Sequence, residues 1–283
     1  MNLSLEKYNS NNFNIKDTLE CGQIFRFTPY QQGYLVFSCD KCAYCYNDQE
    51  NAFIVTKTQD KEYFSNFFDI ERDYSKITQS AIDTGIEILS ISANLGKGIR
   101  ILNQNAEETL FSFIISQNNN IPRIKKSIEK LCQGLGEKHV FDGVEYYGFP
   151  TAEKMSQAPL GFYKEIGLGY RAEYVKKLAE KVVQGYSISQ LKSLSTEQLK
   201  KSLIGLYGVG PKVADCVSLF GFHRSDSFPV DTWIDKVYKE HFNGTITDRN
   251  KISKWFTDLF KENSGYYQQY LFYYKRSLQA KIT

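Results

Sequence analysis

The residues with the clearest chemical potential lie in one stretch, Leu203-Ile-Gly-Leu-Tyr-Gly-Val-Gly-Pro-Lys-Val-Ala-Asp-Cys216. Gly208 and Gly210 lack side chains, so backbone N–H groups there can approach a phosphate closely. Pro211 then opens a helix whose positive end points the same way. Taken alone, Gly-x-Gly reads more simply as the turn of an αα-hairpin. Lys212 falls in the first turn of that second helix, where the macrodipole disfavours a cation and a purely structural choice would be Asp or Glu. An amine held there, partly desolvated, should have a lowered pKa that frees its lone pair for attack on carbon. A solvated surface lysine is the plain alternative. Downstream, in Ser227-Phe-Pro-Val-Asp231 followed by Thr232-Trp233-Ile234-Asp235, Asp231 lies where a helix cap belongs. A carboxylate can cap and still face a cleft, stabilising positive charge on a sugar ring or orienting an attacking group.

The elements that must hold such a pair follow from periodicity. The fold class expected is α+β, a small antiparallel β-rich N-terminal domain (1–97) and a larger all-helical domain (98–283) containing a helix-hairpin-helix with its hairpin at 206–210. Short aromatic or β-branched runs at 23–28, 34–39, 42–47 and 53–58, separated by turn residues, fit an antiparallel meander, and the first part to about residue 90 reads as extended. Past Gly98 the spacing turns helical. Asn105 with Glu108 predicts a capping box before Leu110, Phe111, Ile114 and Ile115; Pro122 opens the next helix, with Ile124, Ile128, Leu131 and Leu135. Amphipathic segments follow at 172–183, 196–205, 211–221, 234–241, 252–260 and 266–278, and 136–169 reads as irregular.

With 283 residues and 42% apolar composition the chain can bury a full core, and six cysteines over that length are too sparse for a disulfide framework, so reduced thiols are expected. The start at Met1 is polar and no window approaches the roughly 18 apolar residues of a membrane span, so neither export nor a membrane partner is expected. A net charge of +3 neither demonstrates nor excludes a nucleic-acid partner. Cys39, Cys42 and Cys45 offer three metal ligands without a fourth, and their spacing alternates faces in an extended segment. Strand and turn cysteines are the better reading, with no side-chain metal site.

Leu206-Tyr-Gly-Val-Gly-Pro-Lys212 followed by Pro229-Val-Asp231 resembles the signature of the helix-hairpin-helix (HhH-GPD) DNA glycosylases, whose hairpin precedes a Gly/Pro-rich loop and a catalytic Asp. In that superfamily a Lys two residues after the last hairpin Gly marks members that also cut the strand. The endonuclease III branch carries four Cys after this region for an iron–sulfur cluster, whereas no Cys follows Cys216. Four further stretches resemble the 8-oxoguanine DNA glycosylase branch. Lys212-Val-Ala-Asp-Cys216 is similar to its catalytic helix, whose Cys packs on one face of the flipped base. Gly265-Tyr-Tyr-Gln268-Gln-Tyr-Leu-Phe272 is similar to the C-terminal helix, implying Gln268 at the base's Watson–Crick edge and Phe272 on its other face. Cys21-Gly22-Gln23-Ile-Phe25-Arg26 implies a Gly22 carbonyl that accepts a hydrogen bond from N7–H, the proton that distinguishes 8-oxoguanine from guanine. Ser116-Gln-Asn118-Asn-Asn120-Ile-Pro-Arg123 and Gly169-Tyr170-Arg171-Ala resemble the elements that fill the duplex gap and read the widowed cytosine.

The resemblance implies a bifunctional base-excision-repair glycosylase and AP lyase that acts on 8-oxoguanine, preferably opposite cytosine. Lys212 would form a Schiff base with Asp231 stabilising the charge, Asn118 would fill the gap, Tyr170 would wedge the neighbouring step, and Arg123 and Arg171 would read the partner base. Arg26, Arg123 and Arg171 would add cations to a phosphate grip at Gly208 and Gly210. The implied partner is duplex DNA containing oxidised guanine, met by a monomer in a prokaryotic cytoplasm at the nucleoid. No cofactor is required, although the resemblance implies a monovalent cation held by hairpin backbone carbonyls. Two departures stand out: Trp233 replaces a His of many eukaryotic members, and Lys275 an Asp facing the active site. A glycosylase for another damaged base and a catalytically silent DNA-binding hairpin module are the competing readings.

Overall fold

The computed structural model describes residues 2–280. Strand β1 (Leu3–Asn9) is followed by α1 (Ile15–Glu20) and a meander of β2 (Phe27–Tyr30), β3 (Gly33–Ser38), β4 (Lys41–Asn47) and β5 (Asn51–Lys57). The sheet order is β1-β5-β4-β3-β2, with every pair antiparallel. Helices α2 (Lys61–Phe67), α3 (Tyr74–Asp83), α4 (Glu87–Leu95), α5 (Ala106–Ser116) and α6 (Ile121–Leu135) follow, then a two-stranded ribbon of β6 (Lys138–Phe141) and β7 (Val144–Tyr147). The remainder is helical: α7 (Ala152–Gln157), α8 (Leu160–Glu165), α9 (Arg171–Val183), α10 (Thr196–Ile204), α11 (Pro211–Gly221), α12 (Thr232–His241), α13 (Arg249–Phe260) and α14 (Ser264–Ala280). The larger part is thus helical apart from the β6–β7 ribbon.

Four local expectations change. The run 61–95 is helical rather than extended: its aromatic residues suggest strand by type, but Phe64, Phe67 and Phe68 share one buried helical face. β1 lies in a segment that reads as polar because it is an edge strand, with Leu3 and Leu5 exposed. Residues 23–26 form no strand. Instead the buried Gln23 side chain donates to the Thr18 and Arg100 carbonyls (2.9 and 2.8 Å) and accepts from the Leu102 N–H (2.8 Å). The stretch 136–169 holds the ribbon, α7 and α8.

The capping box at α5 is only half formed. Asn105 Oδ1 accepts from Glu108 N–H at 3.0 Å, but the Glu108 carboxylate turns away to Arg26 Nη1 (3.0 Å) and Cys39 N–H (2.6 Å). Arg26 is 8% exposed and also donates to Cys39 O and Tyr147 O. It is a buried tie between sheet, ribbon and α5, not a free cation for DNA, which corrects the reading from sequence. Cys42 and Cys45 lie on opposite faces of β4 in separate apolar clusters, and burial pushes the Cys39 thiol up to about 12.

α14 links the two halves. Gln269 Nε2 donates to Cys21 O (2.8 Å), Tyr273 Oη to Asp17 (2.7 Å) and Arg276 Nη1 to Glu20 O (2.7 Å). These bonds hold the N-terminal Gly22 segment against the helix that carries Gln268 and Phe272.

Candidate active site

The hairpin glycines differ in what they require. Gly208 has φ +82°, and a Cβ there would lie 2.3 Å from a Tyr174 ring carbon, so the fold itself demands glycine. Gly210 caps α11 without a side-chain bond, and a Cβ there would meet nothing within 4 Å. Its open space sits at an uncapped helix N-terminus, where N–H groups and the dipole favour an anion. Gly208→Ala should therefore lower stability by about 1–3 kcal/mol from backbone strain alone. Gly210→Ala should leave the melting temperature nearly unchanged and weaken DNA binding. Thermal melts beside binding titrations separate the two.

Lys212 follows at the start of α11. Its side chain remains open to solvent while protein crowds the amine, with Nζ 5.5 Å from the Phe113 ring centroid and Cys216 one turn away. Burial, the largest influence, pulls the amine's pKa down, but Cys216, Asp231 and Asp215 push it up and together outweigh burial, leaving it above the ordinary lysine value. The depression expected from sequence is not met, because Cys216 and the two carboxylates outweigh burial. Burial likewise pushes the Cys216 thiol up to about 11, so both groups hold their protons at neutral pH.

Asp231 caps α12. Its Oδ1 accepts from Trp233 N–H (2.9 Å) and Ile234 N–H (3.0 Å), which leaves Oδ2 for other work. Burial raises its pKa more than those N–H groups and Lys212 lower it. The preceding loop is pinned at two successive carbonyls: Phe228 O accepts from Ser253 Oγ (2.8 Å) and Pro229 O from Gln268 Nε2 (3.2 Å). Sequence reasoning passed over Ser253, and no motif around it would have singled it out.

Gln268 is 4% exposed and its Oε1 has no hydrogen-bond partner among the described residues. A buried, unpaired amide oxygen is costly unless a ligand satisfies it. Gly22 (φ +89°) meets Phe272 directly, since a Cβ there would lie 3.2 Å from the Phe272 ring. Among the described residues no backbone N–H donates to the Gly22 carbonyl.

Asn118 is exposed at φ +45° and Tyr170 is 52% exposed at the start of α9. Arg123 is exposed and reaches Gly167 O at 3.4 Å. Arg171 differs from its expected placement: 5% exposed, it donates to the carbonyls of Gln117 and Asn118 (Nη2 to Asn118 O, 2.7 Å), buttressing the loop rather than projecting from it. Lys275 pairs with Glu240 of α12, which balances the positive charge introduced where the resemblance expects an Asp. Trp233 carries Lys236 Nζ 5.1 Å from its ring centroid, so a cation stands beside the position of the missing His. The hairpin carbonyls of Tyr207 and Val209 accept no backbone hydrogen bond among the described residues, a neutral oxygen donor set suited to a monovalent cation.

An uncapped hairpin-to-helix N-terminus, a lysine within its first turn and a carboxylate capping the next helix make up a helix-hairpin-helix junction. Residues 111–262 match the family of HhH-GPD superfamily base excision DNA repair proteins, and residues 5–110 match the 8-oxoguanine DNA glycosylase N-terminal domain. The chain belongs to the HhH-GPD superfamily. It is 34% identical to the Clostridium acetobutylicum 8-oxoguanine glycosylase/lyase, solved in complex with double-stranded DNA containing cytosine opposite 8-oxoguanine. That match has a TM-score of 0.90 and covers 98% of each chain. It is 40% identical over 159 residues to the N-glycosylase/DNA lyase of Saccharomyces cerevisiae, over 52% of this chain and 42% of the relative. A probable N-glycosylase/DNA lyase of Methanothermobacter thermautotrophicus is 27% identical over 74% of this chain and 71% of its own length. The matched stretch thus spans less than half of the yeast relative.

Proposed function

We propose that this protein is a bifunctional DNA glycosylase and AP lyase that removes 8-oxoguanine, preferably opposite cytosine, from duplex DNA. The observation that carries this reading is that the Lys212 amine, at the hairpin's helix N-terminus, and the Asp231 carboxylate, at the start of the next helix, are close enough to act on each other's charge. A base inside a duplex is out of reach, so the nucleotide must be extruded at a cost of a few kcal/mol. Phosphate contacts at the hairpin and stacking in the pocket offset that cost. Gly22 O, Gln268 Oε1, Phe272 and Cys216 would receive the base, while Asn118 enters the gap and Tyr170 wedges the adjacent step.

Lys212, once deprotonated, attacks C1′. As the N–C1′ bond forms, the glycosidic bond breaks, its electron pair leaves with the base, and the base takes up a proton. Asp231 Oδ2 stabilises the positive charge that builds on the sugar. Ring opening gives a Schiff base. Loss of a C2′ proton then expels the 3′ phosphate and nicks the strand. Arg123 at the rim supports the preference for cytosine; Arg171 would have to leave its carbonyls to share that task. Tyr207 O and Val209 O would hold a monovalent cation, which when bound would add positive potential beside the gripped phosphate. Every residue invoked belongs to one chain, so the reading requires only a monomer, and a place beside the chromosome in the cytoplasm suits such a substrate.

Single-turnover cleavage tests the proposal with 8-oxoguanine opposite cytosine, the same lesion opposite adenine, undamaged guanine, and other oxidised or alkylated bases. Nicked product from 8-oxoguanine opposite cytosine ahead of all others is expected. Equal rates opposite cytosine and adenine would refute the partner preference. Salt-sensitive binding without product would leave only a binding module.

A further inference from the structure

Three parts of the rim are tied together by contacts that no motif encodes. Gln117 Nε2 donates to Gly208 O at 2.9 Å, across from the residue before Asn118 to the phosphate-gripping hairpin. The Gln117 and Asn118 carbonyls are held by Arg171, whose guanidinium lies 4.5 Å from the Tyr170 ring centroid. Tyr174, on the same helix, packs under Gly208 and meets Tyr170 edge-on at 5.6 Å. The gap-filling loop and the wedge are therefore fixed to each other through Arg171, and the loop is fixed to the hairpin through the Gln117 amide. Asparagine tolerates the left-handed region, and the contacts around Asn118 hold it in one such conformation. Two carbonyls and one side chain make those contacts.

We propose that Gln117 is a positioning residue for base extrusion, the strut that sets Asn118 at a fixed offset from the phosphate gripped at Gly208 and Gly210. The proposal rests on the glycosylase reading above. Loss of the strut leaves the hairpin able to grip DNA, and leaves Lys212 and Asp231 in place, but lets the Asn118 loop move independently of the grip. The near-isosteric change Gln117→Glu would break the strut as well, because a carboxylate cannot donate to Gly208 O.

The test compares wild type with Gln117→Ala and Gln117→Met, the latter keeping bulk without the hydrogen bond. The probe is a duplex with 8-oxoguanine opposite cytosine and 2-aminopurine next to the lesion, whose fluorescence rises on unstacking. Extrusion and excision should slow by about tenfold in both variants, the effect of one lost hydrogen bond, with binding to undamaged duplex unchanged. Borohydride trapping on a single-stranded abasic site, which needs no extrusion, should match wild type. Wild-type extrusion rates in both variants would overturn the proposal, as would an equal loss on the abasic strand. Failure of wild type itself to excise the lesion would instead count against the glycosylase reading.

Discussion

Lys212→Gln should abolish strand cleavage and slow base loss by at least roughly a thousandfold, while retaining affinity for lesion-containing duplex. Glutamine keeps much of the stem length and polarity but has no lone pair basic enough to attack carbon, so the loss falls on the chemical step alone. The environment makes the same point through pH. Because Cys216, Asp231 and Asp215 hold the amine's pKa above the ordinary lysine value against the effect of burial, Lys212 is an ammonium at neutral pH. The free amine fraction grows about tenfold per pH unit below that pKa. Schiff-base formation under single-turnover conditions should therefore accelerate as pH rises, and a rate independent of pH from mildly acidic to mildly alkaline buffer would contradict the assignment.

Asp231→Asn carries the second large effect. Asparagine still accepts at a helix N-terminus, so the bonds from Trp233 and Ile234 survive and the melting temperature should change little. What disappears is the negative charge that the proposed mechanism sets opposite the developing sugar cation, and turnover should fall by about 10²–10³, the usual size for one preorganised electrostatic group. In wild type, burial raises the Asp231 pKa. Protonation removes its charge, so activity should be lost as pH falls through a pKa raised above the ordinary aspartate value, and the variant should lack that acid limb. Asp231→Ala should add about 1 kcal/mol of instability from the missing cap. Unfolding curves and pH–rate profiles on the three proteins separate the cap from the charge.

The hairpin-to-helix junction and the Asp231 cap were legible in the sequence because both depend on local spacing. Gly208, Gly210 and Lys212 are consecutive parts of one hairpin-to-helix junction, and Asp231 announces itself as a cap. The fold around them was legible where periodicity and residue type agreed, as in α6 and α11, and illegible where they conflicted. Tyr63, Phe64, Phe67 and Phe68 suggest strand by type, yet bury a helical face. Long-range hydrogen bonds leave no local trace at all. Nothing near Glu108 indicates that its carboxylate serves Arg26 and Cys39 rather than its own helix end, and nothing near Arg171 indicates that its guanidinium is spent on the Gln117 and Asn118 carbonyls. The Lys212 pKa is a mixed case, since Cys216 and Asp215 lie on its own helix at i+4 and i+3 and only Asp231 is brought up from another element.

Covalent trapping tests the central claim most directly. Wild-type protein would be mixed with duplex DNA bearing 8-oxoguanine opposite cytosine in the presence of borohydride, and the adduct located by peptide mass analysis. The account predicts a stable cross-link through Lys212 that forms with the lesion duplex, is absent with undamaged duplex, and disappears in Lys212→Gln. A wild-type protein that binds the lesion duplex and gives no cross-link, or gives one through another residue, would contradict it.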